Sequence, residues 1–230
     1  MKQKDLIFLI ALVLFFIPFF VFEPVYQTYD AINKSHGILA SFVKFAILAT
    51  LGEVIALRIR EGLYHRRGFG LLPRAIVWGL IGITIKMAFI IFATGTPAVL
   101  EYLGMEGAVG ALSGDFTLTK LATAFATSVA MNLIFAPVFM TFHKITDTHI
   151  IWNGGTLKGF LRPIAFAQIF PRLDWSVQWN FVFKKTIPLF WIPAHTITFM
   201  LPAHARVLFA AVLGIVLGVL LAVASLKSKK

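Results

Sequence analysis

Between Arg206 and Lys227 the chain carries no ionisable residue, and nearly every side chain there is apolar or small. An α-helix of about 20 such residues crosses the roughly 30 Å hydrocarbon layer of a bilayer. Five further stretches approach this pattern: 6–22 with Pro18 inside it, 38–60, 71–93, 116–142 interrupted by Pro137, and 186–201 with Pro188 and Pro193. Composition points the same way. Hydrophobic residues make up 59% of the 230, charged residues 13%, and the mean hydropathy is +0.86. A water-soluble core needs a polar shell, and this chain has too little polar residue to build one. The expected fold class is all-α, a polytopic transmembrane helical bundle of about six spans.

Lys2 and Lys4 precede the first stretch, but Phe22, Glu23 and Pro24 follow it, with no small-residue cleavage site. A retained anchor is expected there, not a cleaved signal. The stretch 186–201 is the weakest candidate: it is short and carries two prolines, which suits a kinked or partly re-entrant helix. Orientation follows from basic residues, which stay cytoplasmic. Arg58, Arg60, Arg66, Arg67 and Arg74 lie between the second and third stretches. Lys144, Lys158, Arg162, Arg172, Lys184 and Lys185 lie between the fourth and fifth, and Lys227, Lys229 and Lys230 close the chain. The opposite connections hold Glu23, Asp30, Glu101, Glu106 and Asp115. Six spans with both termini cytoplasmic satisfy this asymmetry. The expected organisation is an N-terminal helix over 1–28, a helical membrane domain over 29–226 and a basic tail over 227–230. Within the domain, an aromatic and basic amphipathic segment at about 152–185 is expected in the headgroup region, with Asp174 as N-cap of a helix bearing Trp175, Trp179 and Val182. The glycine-rich connection 101–115 is expected to be irregular.

The net charge is +11. With this hydropathy the expected partner is anionic lipid on the cytoplasmic face, not nucleic acid. Arg58, Arg60, Arg66 and Arg67 are the candidate headgroup contacts, although a plain topology signal is the simpler expectation. The absence of cysteine excludes disulfides, Cys-ligated zinc, iron–sulfur clusters and thiol catalysis. No phosphate-binding Gly-x-x-x-x-Gly-Lys and no His-Glu-x-x-His occurs, so no enzyme, cofactor or metal site is expected. His143, Asp147 and His149 offer metal-ligand chemistry, but a solvated loop cluster is the simpler expectation.

Ionisable residues inside spans are costly and mark functional sites or buried pairs. The candidates are Lys44, Glu53, Lys86 and Arg206. At 1.5 Å per residue, Glu53 lies about 10 Å and Lys86 about 22 Å from the basic end, too far for a direct salt bridge. By the same rise Asn132 and His195 share the level of Glu53, at about 15 and 13 Å. These three are expected to form a buried polar cluster or the lining of a solute path; interhelical hydrogen bonding alone is the structural alternative. Gly214 and Gly218 form a Gly-x-x-x-Gly, and Ala122, Ala126 and Ala130 a small face. Both allow close helix approach, within one chain or in a homo-oligomer.

Several of these residues resemble, in order, a known family. Leu51-Gly52-Glu53-Val54-Ile55-Ala56 is similar to a Gly-Asp-x-x-x-Gln element, and Arg74 followed by Gly79-Leu80-Ile81 to a second block. Asn132 through Pro137 is similar to an Asp-Gln-x-x-x-x-Pro element. Trp191-Ile192-Pro193 with Pro202-Ala203-His204-Ala205-Arg206 resembles a C-terminal signature. The family is the Mpv/PMP group of small peroxisomal and mitochondrial inner-membrane proteins, and the resemblance covers roughly residues 29–225. Glu53 stands where the family has Asp, and Asn132 where it has Gln. The resemblance implies a helical bundle forming a weakly selective channel for small solutes. It adds weight to Glu53, Asn132, Pro202 and Arg206, with Gly52, Pro137, Trp191 and Pro193 as structural positions. It also implies the cytoplasmic membrane of a bacterium, or the mitochondrial inner or peroxisomal membrane of a eukaryote. Two functions follow as expectations: a channel or facilitator for small polar solutes, or a non-conducting scaffold that binds partner proteins.

Overall fold

The computed structural model describes residues 3–227; Lys2, Lys229, Lys230 and the side chain of Lys227, all counted in the basic termini above, lie outside the described residues. Its elements are all helical, and no strand occurs among the described residues. The chain divides into two compact units, residues 1–40 and 41–230.

In the first unit, α1 spans Gln3–Phe16 and a short turn of helix, Pro18–Val21, follows it. Pro18 opens that turn, a position where its missing N–H would have had no partner. Gln3–Val21 is long and apolar enough to cross a membrane, and none of it is buried. Helix α2 spans Glu23–Ser35. Its exposed Lys34 pairs with Asp30 one turn back at 2.6 Å, and the Phe19 ring meets Tyr29 edge-on at 5.8 Å. Helix α3, Gly37–Glu61, leads from this unit into the next.

The second unit holds the rest of α3 and then α4 (Leu71–Tyr102), α5 (Leu118–Ile134), α6 (Ala136–Trp152), a π-helix (Gln178–Trp191), α7 (Ile192–Met200) and α8 (Ala203–Lys227). Gly37–Glu61, Leu71–Tyr102 and Ala203–Leu226 are each long and apolar enough to cross a membrane. With Gln3–Val21 that makes four helices among the described residues, or five if α5 and α6 form one broken span. The bend between α5 and α6 is 44° and falls at Phe135, where Pro137 in the first turn of α6 withholds a backbone donor. The sixth expected crossing, 186–201, is not among them. It is the end of the π-helix joined to the nine residues of α7. The wider i→i+5 ladder is visible where the Ile192 N–H donates to the Ile187 carbonyl; the Thr186 side-chain hydroxyl separately donates to the Phe181 carbonyl at 3.2 Å.

Asp174 caps as expected, its Oδ1 accepting from the Val177 N–H at 2.9 Å. The helix it starts, Trp175–Val177, does not remain a separate surface segment, because it continues directly into the π-helix. Between α6 and that point, short turns at Leu157–Phe160, Phe166–Ile169 and Phe170–Arg172 pack Ile169 and Leu173 against Ile145. The 101–115 connection is irregular as expected. Gly104, Gly107 and Gly110 take positive φ, and the Glu101 carboxylate accepts from the N–H groups of Gly107 and Val109.

Small residues bring the helices together, at positions that differ in part from expectation. A side chain at Gly82 would strike the Ser41 carbonyl at 2.5 Å, so α4 and α3 touch backbone to backbone. A side chain at Gly52 would meet the Ile215 Cα at 3.1 Å, and one at Gly218 would face the Gly52 carbonyl at 3.8 Å. Of the Gly-x-x-x-Gly of α8, Gly218 therefore packs near α3 within this chain, whereas a side chain at Gly214 would meet nothing within 4 Å. On α5 the packed face is Thr123, Ala124, Thr127 and Ser128, all fully buried, whereas Ala122 of the expected small face is exposed. The Thr127 hydroxyl donates to the Thr123 carbonyl at 2.7 Å, which satisfies it within the helix and lets it pack as a small residue.

Candidate functional site

A cavity of about 590 Å³ lies among α3, α4, α5, α6, the π-helix, α7 and α8. Arg60, Arg66 and Lys144 line it and are exposed, so it opens at the end of the molecule that carries the basic connections. Deeper in the wall come Glu53, Arg74, Trp78, His143 and Asp147, and deeper still Asn132, Trp191 and His195. The remaining wall is largely aromatic and aliphatic.

The first group is organised by Arg74. Its guanidinium is buried, with the side chain 7% exposed. Nε donates to the Phe69 carbonyl at 2.7 Å, and the group lies over the Phe69 ring at 4.7 Å. Nη1 donates to both Glu53 Oε2 and Asp147 Oδ1. Glu53 Oε1 accepts from Trp78 Nε1 at 2.7 Å and lies 3.5 Å from His143 Nε2. The Trp78 and His143 rings are 4.3 Å apart. Three helices thus contribute: Glu53 from α3, Arg74 and Trp78 from α4, His143 and Asp147 from adjacent turns of α6. A buried charge is tolerated only when paired and hydrogen-bonded, and each member here supplies what another lacks. Glu53, His143 and Asp147 bring their ligand atoms within 4.8 Å of one another, a spacing open to a metal ion. The guanidinium of Arg74 already bridges the two carboxylates as a cation.

The second group is neutral. Asn132 is fully buried on α5 and meets His195 Nδ1 with its Nδ2 at 3.1 Å and its Oδ1 at 3.3 Å. Its Nδ2 also donates to the Ser128 carbonyl at 2.9 Å. Trp191 stacks on the His195 ring at 5.0 Å, and Phe89 meets the other side of that ring edge-on at 5.8 Å. Phe89 in turn packs on the wholly buried Phe199 at 5.3 Å, which forms no part of the cavity wall. The Phe199 carbonyl shares the Arg206 Nη2 donor with the Leu112 carbonyl of the 111–113 turn.

Of the residues expected to share a level, Asn132 and His195 touch, while Glu53 belongs to the Arg74 group; all three line one cavity. Lys86 does not pair with Glu53, in agreement with the depth argument, and it lies outside the wall near Lys44. Arg206 is buried but does not line the cavity. Its Nε donates to the Leu201 carbonyl at 3.0 Å and its Nη2 to those of Leu112 and Phe199 at 3.2 Å each, tying α8 to the 111–113 turn and the end of α7. Gly214 and Gly218 line the wall, Gly218 beside α3 and Gly214 facing open space, and Pro137, Pro193 and Pro202 mark helix breaks outside it. Arg58 lies over the Tyr64 ring at 5.4 Å, Arg66 pairs with Glu61 at 3.0 Å, and Arg67 is exposed.

Sequence reasoning counted Arg74 as a basic connection residue and as part of the family resemblance but not as a site residue, and took His143 and Asp147 for a solvated loop. The helix in fact runs on to Trp152, which makes their four-residue spacing one face of α6. His149 leaves that trio. It is buried, its Nε2 meeting the Phe160 carbonyl at 3.1 Å. No protein-family model matches the chain, and comparison with curated proteins and with solved structures finds no match.

Proposed function

We propose that this protein is a membrane channel or facilitator for small polar solutes, with the Glu53–Arg74 group on the solute path. The observation that carries this reading is the cavity itself: about 590 Å³, open at the basic end, with ionisable groups in its wall within helices apolar enough to cross a membrane. Buried charges that served packing alone would be enclosed by protein, whereas these face open space. In the proposed topology the chain crosses six times, counting 186–201 as the kinked fifth, with both termini and the cavity mouth cytoplasmic, where Lys and Arg concentrate. Anionic lipid would contact Arg58, Arg60 and Arg67 there. Kinship with the Mpv/PMP group is part of the same proposal and rests on the residues quoted above. In this state the path is closed beyond His195 by Phe89 on Phe199, so passage requires those rings to part. The scaffold reading has less to stand on, because Gly214 and Gly218 both line the cavity.

The test is release of erythritol from proteoliposomes. Wild-type protein is expected to release it, Glu53→Gln to change the rate about tenfold by unbalancing the ion-pair group, and Phe89→Ala to raise it. Absence of release across voltage, pH and lipid composition would overturn the proposal.

A further inference from the structure

We infer that a groove between α6 and the π-helix binds one anionic phospholipid, with an acyl chain along the groove and the phosphate at Arg172 and Lys184. The site is separate from the solute cavity and stands whether or not the protein conducts. It requires only that these helices lie in a bilayer. The two sites share walls. Helix α6 turns Phe139, His143 and Asp147 to the cavity, and Val138, Thr141 and Ile145 to the groove. The π-helix likewise turns Val182 and Thr186 to the cavity and Phe183 to the groove.

The groove has a volume of about 390 Å³. Val138, Thr141 and Ile145 form one wall; Phe170, Trp175 and Phe183 form the other. Its polar side-chain groups are already used. The Thr141 hydroxyl donates to the Pro137 carbonyl at 2.7 Å, and Trp175 Nε1 donates to the Phe170 carbonyl at 3.0 Å. Val138 is 69% exposed, so the groove opens outward. Such a surface takes an apolar chain. In a bilayer, however, apolar surface alone has no preference among lipids, because acyl chains are equally apolar. Selectivity has to come from charge.

The charge stands at one end of the groove. Residues seven apart on a helix differ in direction by only about 20°, so Val138, Ile145 and Trp152 follow one line along α6. Trp152 lies about 10 Å past Ile145, toward the basic connection, and the Arg172 guanidinium lies over its ring at 5.5 Å. On the other wall Lys184 follows Phe183. Its Nζ folds back over the Trp179 ring at 5.4 Å, toward the start of the π-helix and the same connection. Both cations are exposed, and neither meets a carboxylate among the described residues. Asp174, two residues from Arg172, commits its Oδ1 to the Val177 N–H. A chain seated along Val138 and Ile145 thus brings its phosphate to two cations held on aromatic rings. Basic pockets between membrane-spanning helices take anionic headgroups in this way. A second copy of the chain suits the groove less well. It carries a net charge of +11 and would bring like charge to Arg172 and Lys184.

The experiment follows tryptophan fluorescence of the full chain in detergent micelles. Phosphatidylglycerol or phosphatidylcholine is titrated in, each brominated on identical acyl chains, which quench an indole on contact. Phosphatidylglycerol should reach half-quenching at about a tenfold lower mole fraction than phosphatidylcholine. Trp175→Phe, which removes the indole from the groove wall, should abolish most of the phosphatidylglycerol quenching. Arg172→Gln and Lys184→Gln should each lower its affinity about fivefold, one surface charge apiece. Lys158→Gln combined with Arg162→Gln removes two exposed cations from the preceding turns and should leave it within about twofold. Val138→Phe, at an exposed position, fills the groove and should weaken both lipids. Equal affinity for the two lipids overturns the assignment, as does quenching that survives Trp175→Phe. An equal loss in the Lys158 and Arg162 pair also overturns it, because diffuse surface charge then accounts for the preference. If light scattering shows a dimer that Val138→Phe converts to monomer, a second copy covers the groove and the lipid site falls.

Discussion

Arg74 and Arg206 occupy the same place in two helices. Each is the fourth residue, of α4 and α8 respectively, each is buried, and each donates from Nε to the carbonyl five residues earlier, at 2.7 and 3.0 Å. Each guanidinium also lies over a phenylalanine ring, Phe69 at 4.7 Å and Phe199 at 5.7 Å. The remaining donors separate them. Arg74 spends its Nη1 on two carboxylates from other helices, in the cavity wall; Arg206 spends its Nη2 on two backbone carbonyls, away from it. The same local device, an arginine folded back over the start of a helix, thus serves a charge network in one case and a helix clamp in the other. The long-range partner decides which, and that partner is invisible in the local sequence.

The comparison can be broken at several points. Arg74→Ala leaves two half-buried carboxylates without their cation, a loss of about 3–5 kcal/mol; little monodisperse protein should survive detergent extraction and gel filtration. Adding Glu53→Gln and Asp147→Asn to Arg74→Met removes the uncompensated charge, and most of the lost thermal stability should return. Arg206→Ala should lower stability by a smaller amount, about 2–3 kcal/mol, from carbonyls left unpaired. The same two acid substitutions should give Arg206→Ala no rescue in thermal unfolding. Lysine separates the sites more finely. A single ammonium cannot span two carboxylates and the Phe69 carbonyl in the way a guanidinium does, so Arg74→Lys should cost about 2 kcal/mol and Arg206→Lys about 1. The smallest expected effect is on solute release, where Arg206→Lys should stay within about twofold of wild type because its contacts lie outside the cavity wall.

How much was legible varied along the chain in a way these contacts explain. Helix α8 was readable almost to its ends, because an apolar run of that length has one stable form in a bilayer. The bend at Phe135 was readable from Pro137, which withholds a donor whatever surrounds it. The depth arithmetic placed Asn132 with His195 and kept Lys86 from Glu53, since helical rise is a property of the backbone. It could not supply lateral position, and so it grouped Glu53 with Asn132 when the pairing of Glu53 is with Arg74. The π-helix had no readable signature. Its extra residue per turn turns Gln178, Thr186 and Trp191 to faces that a 3.6-residue period does not assign, and the place of Gln178 and Trp191 in the cavity wall was unreadable for that reason. The α5 face was misjudged because a threonine hydroxyl bonded within its own helix, as at Thr127, packs like alanine, and hydropathy does not register that satisfaction.

By itself the sequence determined the helical, apolar character of the chain, its long spans and the sign of charge at their ends, because these follow from backbone hydrogen bonding and from the transfer energy of side chains taken one at a time. Only the tertiary structure decided which charges meet, which polar groups are left unpaired and where the chain leaves a cavity. Those are properties of pairs of side chains from helices far apart in sequence, and they come into existence only when the helices pack.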